Sequence, residues 1–195
     1  MRSTPTRLPA ARRRRQLLDV ALAAFAAQGF HPTSMNDIAE AAGVTKPVLY
    51  QHFRSKRALY LELLEDVGER LRDTIAKAAA KAGGPREQVV AGFRAYFRFV
   101  SDHEDAFQLL FGGGSRRDAE FADAVRAVER SIADIIAEFI DVKGLDADRR
   151  LLLAHGIVGL AEGASRHWLV DGAEGDPDTL AEQVAILAWA GLRGI

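Results

Sequence analysis

Thr33-Ser34-Met35-Asn36-Asp37-Ile38-Ala39-Glu40-Ala41-Ala42-Gly43-Val44-Thr45-Lys46-Pro47-Val48-Leu49-Tyr50-Gln51-His52-Phe53 decides the reading of the whole chain. Ser34 followed three residues later by Asp37 resembles a capping box, after which Met35, Ile38, Ala39 and Ala42 recur at the spacing of one buried helix face until Gly43. Thr45 is expected to cap the next helix through its hydroxyl over residues 45–52. Pro47 falls in its first turn, where a missing backbone N–H removes no hydrogen bond. Only Gly43, Val44 and Thr45 separate the two helices, too few for antiparallel packing and suited to a steep crossing, which is helix-turn-helix spacing.

Helical periodicity continues on both sides, with no sustained alternation of β-branched and polar residues. Upstream, Leu17, Val20, Ala21, Leu22, Ala24 and Phe25 form an apolar stripe on a helix over 10–28 that Gly29 ends. Downstream, Ser55 caps a helix reaching about Ala82, on the order of 40 Å long. Glycine and proline breaks then delimit helices near 86–102, 104–111, 116–141, 146–170 and 177–192, with a polar loop at Asp171–Asp178. The fold class is therefore all-α, with a three-helix helix-turn-helix head over 1–60 and a helical-bundle body over 61–195.

The 195 residues, 48% of them apolar, suffice to bury a core without cross-links. The absence of cysteine excludes disulfides, thiolate metal sites and cysteine nucleophiles, and favours a cytoplasmic address. No apolar run spans a bilayer and the N-terminus does not read as a signal peptide. The net charge of -1 hides a split: residues 1–60 hold 10 Lys+Arg against 3 Asp+Glu, and the remainder holds 16 against 24. A basic head implies a polyanionic partner, nucleic acid first and an anionic membrane second.

The quoted segment, continued by Ser55-Lys56-Arg57-Ala58-Leu59, resembles the TetR family of bacterial transcriptional regulators, and the likeness covers residues 12–63. By their position on the second, recognition helix, Lys46 is expected to donate to guanine O6/N7 in the major groove and Pro47 and Val48 to touch thymine methyls. Gln51 reads adenine or faces water. Thr45 and Lys46 sit at a helix start whose free N–H groups face phosphate, and Tyr50, His52 and Lys56 suit phosphate by their donors. The resemblance adds Ser34 as a phosphate contact. Arg12, Arg13, Arg14 and Arg15, with Arg2 and Arg7, form a basic arm for neighbouring phosphates, or else a solvated tail.

Seven of the ten phenylalanines lie between 93 and 139. Phe93, Tyr96, Phe97, Phe107, Leu110, Phe111, Phe121 and Val125, with Leu152, His155 and Trp168, are each either core or the lining of an apolar cavity. The family resemblance implies an effector pocket here and a homodimer made by the last two long helices, whose small residues permit close approach. Ala154, Gly159, Ala161, Leu187 and Trp189 are its candidate contacts, and a two-fold dimer implies a palindromic double-stranded DNA operator. A narrower likeness, through Lys46–Phe53, Phe107–Phe111 and Arg166-His167-Trp168-Leu169, is to actinobacterial acyl-CoA-sensing members of the family.

The expected function is a ligand-released repressor responding to an apolar or amphipathic small molecule, with a ligand-independent dimeric DNA-binding protein or an activator as the alternative. No cofactor, metal or membrane partner is expected. An enzyme is disfavoured because His103, Glu104 and Asp105 are adjacent instead of matched on one helix face, and His155 and His167 are too far apart for joint ligation. Gly112-Gly113-Gly114-Ser115 lacks the flanking residues of a phosphate loop. A peripheral membrane protein would leave Tyr50, His52 and Lys56 without a role.

Overall fold

The computed structural model describes residues 9–112, 118–142, 144–170 and 175–194. Among them lie nine helices and no strand: α1 (Ala10–Gln28), α2 (Met35–Ala41), α3 (Lys46–His52), α4 (Lys56–Ala80), α5 (Pro85–Asp102), α6 (Glu104–Phe111), α7 (Ala119–Phe139), α8 (Ala147–Val170) and α9 (Pro177–Arg193). Arg2 and Arg7 of the basic arm, residues 113–117 of the glycine-rich break and residues 171–174 of the Asp171–Asp178 loop lie outside the described residues.

The helix ends follow local chemistry. Ser34 and Asp37 form the reciprocal capping box: the Asp37 amide donates to Ser34 Oγ at 3.2 Å and the Ser34 amide to Asp37 Oδ2 at 2.9 Å. Gly43 turns the chain from α2 toward α3 at φ +63°, where a Cβ is strained, while the Val44 amide donates to the Ala39 carbonyl at 2.9 Å. The Thr45 cap differs from expectation. Its hydroxyl makes no capping bond, and its carbonyl instead accepts from the Val48 and Leu49 amides at 2.9 and 3.2 Å. Ser55 caps α4 as its position predicts, accepting from Ala58 at 3.0 Å, and Asp118 caps α7.

α4 organises the molecule. Its Leu59, Leu63, Leu64, Val67, Leu71 and Ile75 are buried along a helix of roughly 37 Å, packed against α1, α5 and α7, with α7 meeting it from its first turn onward. α5 packs on α9, α7 packs on α8, and α6 bridges α1, α4 and α5. One apolar cluster runs from Leu17 of the head to Ala188 of the body, so a division at residue 60 falls inside α4 and inside the core. At that junction Phe30, Tyr60 and Phe121 meet with ring centroids 4.5–5.1 Å apart, a geometry that adds to their burial. The Arg57 guanidinium lies 4.7 Å over the Phe121 ring and donates to Asp118 and Glu120, each at 2.8 Å. Phe121, 1% exposed, therefore fastens head to body and does not line a cavity.

Candidate nucleic-acid interface and body cavity

The outer face of α3 is open. Lys46, Pro47, Tyr50 and Gln51 are exposed and Val48 and His52 half-buried, while Leu49 and Phe53 anchor the helix in the core. Ser34 and Thr45 are exposed at the starts of α2 and α3. With Thr45 Oγ1 not used as a cap, its hydroxyl is free to turn outward. The structure thus brings Ser34, Thr45, Lys46, Pro47, Val48, Tyr50, Gln51 and His52 to one short helix-turn-helix, with polar tips and a small apolar edge together. Such a mixture suits phosphates and base edges at once.

Lys56, Arg14 and Arg15 of the head are used internally. Lys56 Nζ donates to the carbonyls of Phe30, Thr33 and His31 at 2.7, 2.8 and 3.1 Å and sits 4.4 Å over the Phe30 ring. All three ammonium donors are spent holding the α1–α2 loop, which corrects the expectation of a phosphate contact. Arg14 makes a bidentate pair with Glu62 and lies 4.6 Å over Phe53. Arg15 binds Asp66 at 2.6 and 2.8 Å and Asp19 at 2.9 Å, and the Asp19 hydrogen bond leads the causes that raise its pKa. These two arginines tie α1 to α4 and leave the basic arm, because acidic residues one helix away outcompete solvent for a planar fork donor. Arg12 is exposed, and half-buried Arg13 bonds only Gln16, at 2.8 Å. Sequence reasoning missed Arg54: exposed in the α3–α4 turn, it makes no ion pair, unlike Arg57.

In the body, a cavity of about 380 Å³ lies among α4–α9. Ile75 and Ala79 of α4, Phe93 and Tyr96 of α5, Phe111 of α6, Ile132 and Ile136 of α7, Ile157 and Ala161 of α8 and Trp189 of α9 supply walls that are mostly hydrocarbon. Gln88, Asp141 and Arg193 bring polarity near the ends of α5, α7 and α9. Of the expected lining, Phe93, Tyr96 and Phe111 are present. Phe97, Phe107, Leu110 and Val125 are buried core packed away from it. Leu152 is 71% exposed and His155 is exposed, because the helical period turns both to the face of α8 opposite Ile157 and Ala161. Trp168 leans on Phe97 at 6.2 Å and donates Nε1–H to the Gly175 carbonyl at 3.1 Å.

The expected dimer contacts divide in the same way. Ala154 is buried against α7, and Ala161 and Trp189 line the cavity, so these three face inward. Gly159 and Leu187 face outward: a Cβ on Gly156, Gly159 or Gly163 would meet nothing within 4 Å, and Ile186 and Leu187 are 64% and 61% exposed. Among the described residues no group of His, Cys, Asp and Glu could hold a metal, and no helix is long and apolar enough to cross a membrane.

Residues 17–63 match the family described as bacterial regulatory proteins, tetR family, and residues 85–191 match the tetracyclin repressor-like C-terminal domain. The chain is 33% identical over 190 residues to the HTH-type transcriptional activator FasR of Mycolicibacterium smegmatis, covering 97% of this chain and 87% of that protein. A TetR-like transcriptional regulator from Rhodococcus sp. RHA1 is 30% identical with a TM-score of 0.78, over 97% of this chain and 100% of that one. FadR from Bacillus subtilis in complex with stearoyl-CoA shares the fold at a TM-score of 0.78 and 17% identity, over 89% of this chain and 96% of that one.

Proposed function

Because the chain belongs to the tetR family of bacterial regulatory proteins, which are DNA-binding transcription regulators and not enzymes, we propose that it binds a palindromic operator as a homodimer and that an apolar or amphipathic effector of fatty acyl type releases it. The observation that carries the effector half is the cavity of about 380 Å³ against Ile75 and Ala79 of α4. A filled core at that position would have favoured a DNA-binding protein without a ligand. Only three residues separate α3 from α4, so an occupant pressing on the far half of α4 acts on the rod that carries the recognition helix. It shifts DNA affinity only as far as it prefers one arrangement of that rod over the other. The hydrocarbon walls support a fatty acyl occupant, as does the stearoyl-CoA held by FadR from Bacillus subtilis.

On the DNA side, Lys46, Pro47, Val48 and Gln51 read base edges, while Ser34, Thr45, Tyr50 and His52 bind phosphates. Arg12, Arg13 and Arg54 add charge outside the recognition helix. The homodimer forms through the outward faces of α8 and α9, where Leu152, Ile186 and Leu187 are exposed and the outward glycines of α8 admit a second helix closely. The activator FasR at 33% identity favours activation over repression as a second reading of the sign of the response.

The test is a titration of an operator, selected from random duplexes, with and without saturating stearoyl-CoA, alongside native mass spectrometry. The expected result is a dimer that retains an acyl mass and loses at least tenfold in operator affinity on loading. A stearoyl-CoA-loaded dimer with unchanged operator affinity would overturn the effector reading.

A further inference from the structure

α7 touches the cavity with one half and the head with the other. Ile132, Ile136 and Phe139 line the cavity, as does Ile140 just past the helix end. At the opposite end the Phe121 ring lies 4.7 Å from that of Phe30, in the loop that leads into α2, and 4.5 Å from that of Tyr60 on α4. Arg57, in the first turn of α4, holds the same end: its two terminal nitrogens donate to the two Asp118 oxygens at 3.1 and 2.8 Å, and one of them also donates to Glu120 at 2.8 Å. With the Arg57 side chain 43% exposed, such a pair adds little stability, but its bidentate fork fixes the first turn of α7 against the head.

Between the two halves, Val128 stands against Gly68 of α4 with no room for a Cβ on the glycine. Phe121, Val125, Val128 and Ile132 are all buried along α7. The seven residues from Phe121 to Val128 and the eight from Val128 to Ile136 make arms of about 10 and 12 Å. A stiff helix held at its middle tilts about that point. Pushed away from α4 at Ile132 and Ile136, it presses inward at Phe121, by nearly the same amount because the arms are nearly equal. The junction is close-packed and transmits the strain to Phe30. The loop that carries Phe30 is bound by Lys56 and ends at Ser34, the cap of α2, which packs on α3.

We propose that α7 is a lever on the Val128–Gly68 fulcrum, through which an occupant that spreads the cavity at Ile132 and Ile136 drives Phe121 against Phe30 and turns α2 and α3, with Asp118 and Glu120 coupling the head to this motion through Arg57. The route runs beside the α4 rod and reaches the helix-turn-helix from the α1–α2 loop. The inference rests on the reading of the cavity as the effector site.

The experiment uses the full-length protein as wild type and two variants. Asp118→Asn with Glu120→Gln keeps an oxygen for the α7 cap and the Arg57 cation while removing the ion pairs; Val128→Ala loosens the fulcrum. Melts establish that each is folded, and two variants are used so that a folding failure in one leaves the other to report. Stearoyl-CoA affinity is read by calorimetry, and operator affinity with and without saturating stearoyl-CoA. Both variants are expected to bind stearoyl-CoA within about twofold of wild type and, unloaded, the operator within about threefold. The loss of operator affinity on loading shrinks from at least about tenfold in wild type to under about threefold in the variants. A folded variant that keeps the full wild-type loss would overturn the lever and leave the effector site standing. An unloaded operator affinity that falls by more than about tenfold would also overturn it, since these contacts would then hold the DNA-binding shape itself. A wild type loaded with stearoyl-CoA at unchanged operator affinity would overturn the lever and the effector reading together.

Discussion

Gly68 of α4 lies directly against Val128 of α7: a Cβ built on Gly68 would fall 2.5 Å from Val128 Cγ2 and 2.7 Å from Cγ1. Only the Val128 side chain separates the two helices there, and being β-branched it has little rotamer freedom with which to yield. In an open helix Gly→Ala gains up to about 1 kcal/mol. Here overpacking costs roughly 1–3 kcal/mol, and the sum is a loss. Gly68→Ala is expected to lower Tm, at about 2–4 °C per kcal/mol for a chain of this size, and Val128→Ala in the same protein to recover part of it. Thermal melts followed by circular dichroism decide the matter, and a Gly68→Ala protein that melts above wild type refutes the close contact.

The cations around the α3–α4 turn have separable jobs. Lys56→Ala removes three charge-assisted bonds to the α1–α2 loop and is expected to cost roughly 2 kcal/mol of stability, with the salt dependence of DNA binding unchanged. Arg54→Ala is expected to leave Tm alone and to reduce the slope of log K against log salt by about one unit, the signature of one lost phosphate contact. Affinity measurements across a salt series, paired with melts of the same samples, read both. If the slope drops for Lys56→Ala and holds for Arg54→Ala, the assignments are reversed.

The helices were legible in the sequence because their signals are local. The Ser34/Asp37 box, the stops at Gly29 and Gly43, the Ser55 cap and the glycine and proline breaks between the body helices each depend on residues within one turn. The open face of α3 followed from the same short-range period. What the sequence did not yield was the partner of each long side chain. Lys56 and Arg54 are two residues apart with similar local chemistry, and only the folded α1–α2 loop makes one internal. In the body, periodicity marked Phe93, Phe97 and Phe121 alike as buried. Whether such a ring meets a cavity, another helix or the head depends on helix packing that no local pattern encodes. Trp189 and Leu187 show the same limit, since two residues turn a helix by about 200° and carry one inward and the other out.

The Arg57–Asp118 pair gives the head–body junction an acid limit. Hydrogen bonding from Arg57 leads the causes that hold the Asp118 carboxyl below the usual range, followed among the stabilising contacts by the α7 amides it caps. A carboxylate with a depressed folded pKa contributes stability that is fully present above its unfolded value of about 3.9 and is lost as pH falls through the folded value. Asp118→Asn keeps an oxygen for the cap and removes the charge. Its Tm is therefore expected to fall below wild type above about pH 5, with the gap closing below about pH 4. A gap that stays constant from neutral pH into that acid range would mean that the pair contributes nothing through its charge.

The outward faces of α8 and α9 carry the last prediction. Ile186 and Leu187 of α9 are mostly exposed, and Gly156, Gly159 and Gly163 of α8 have open space where a Cβ would stand, which lets a second copy of the chain approach closely. Ile186→Glu combined with Leu187→Glu places two charges in that seam without touching the cavity or the core. Desolvating them is expected to cost more than the apolar contact returns, so the chain becomes monomeric by light scattering while its helical content is kept. Each head then binds alone, and affinity for the palindrome is expected to fall by about 10²–10⁴ as the second site ceases to act from the same molecule, while affinity for an isolated half-site is unchanged. Trp189→Glu, by contrast, sends its charge into the cavity and is expected to impair effector binding first. A doubly substituted protein that still scatters as a dimer would show that the two copies meet through another surface.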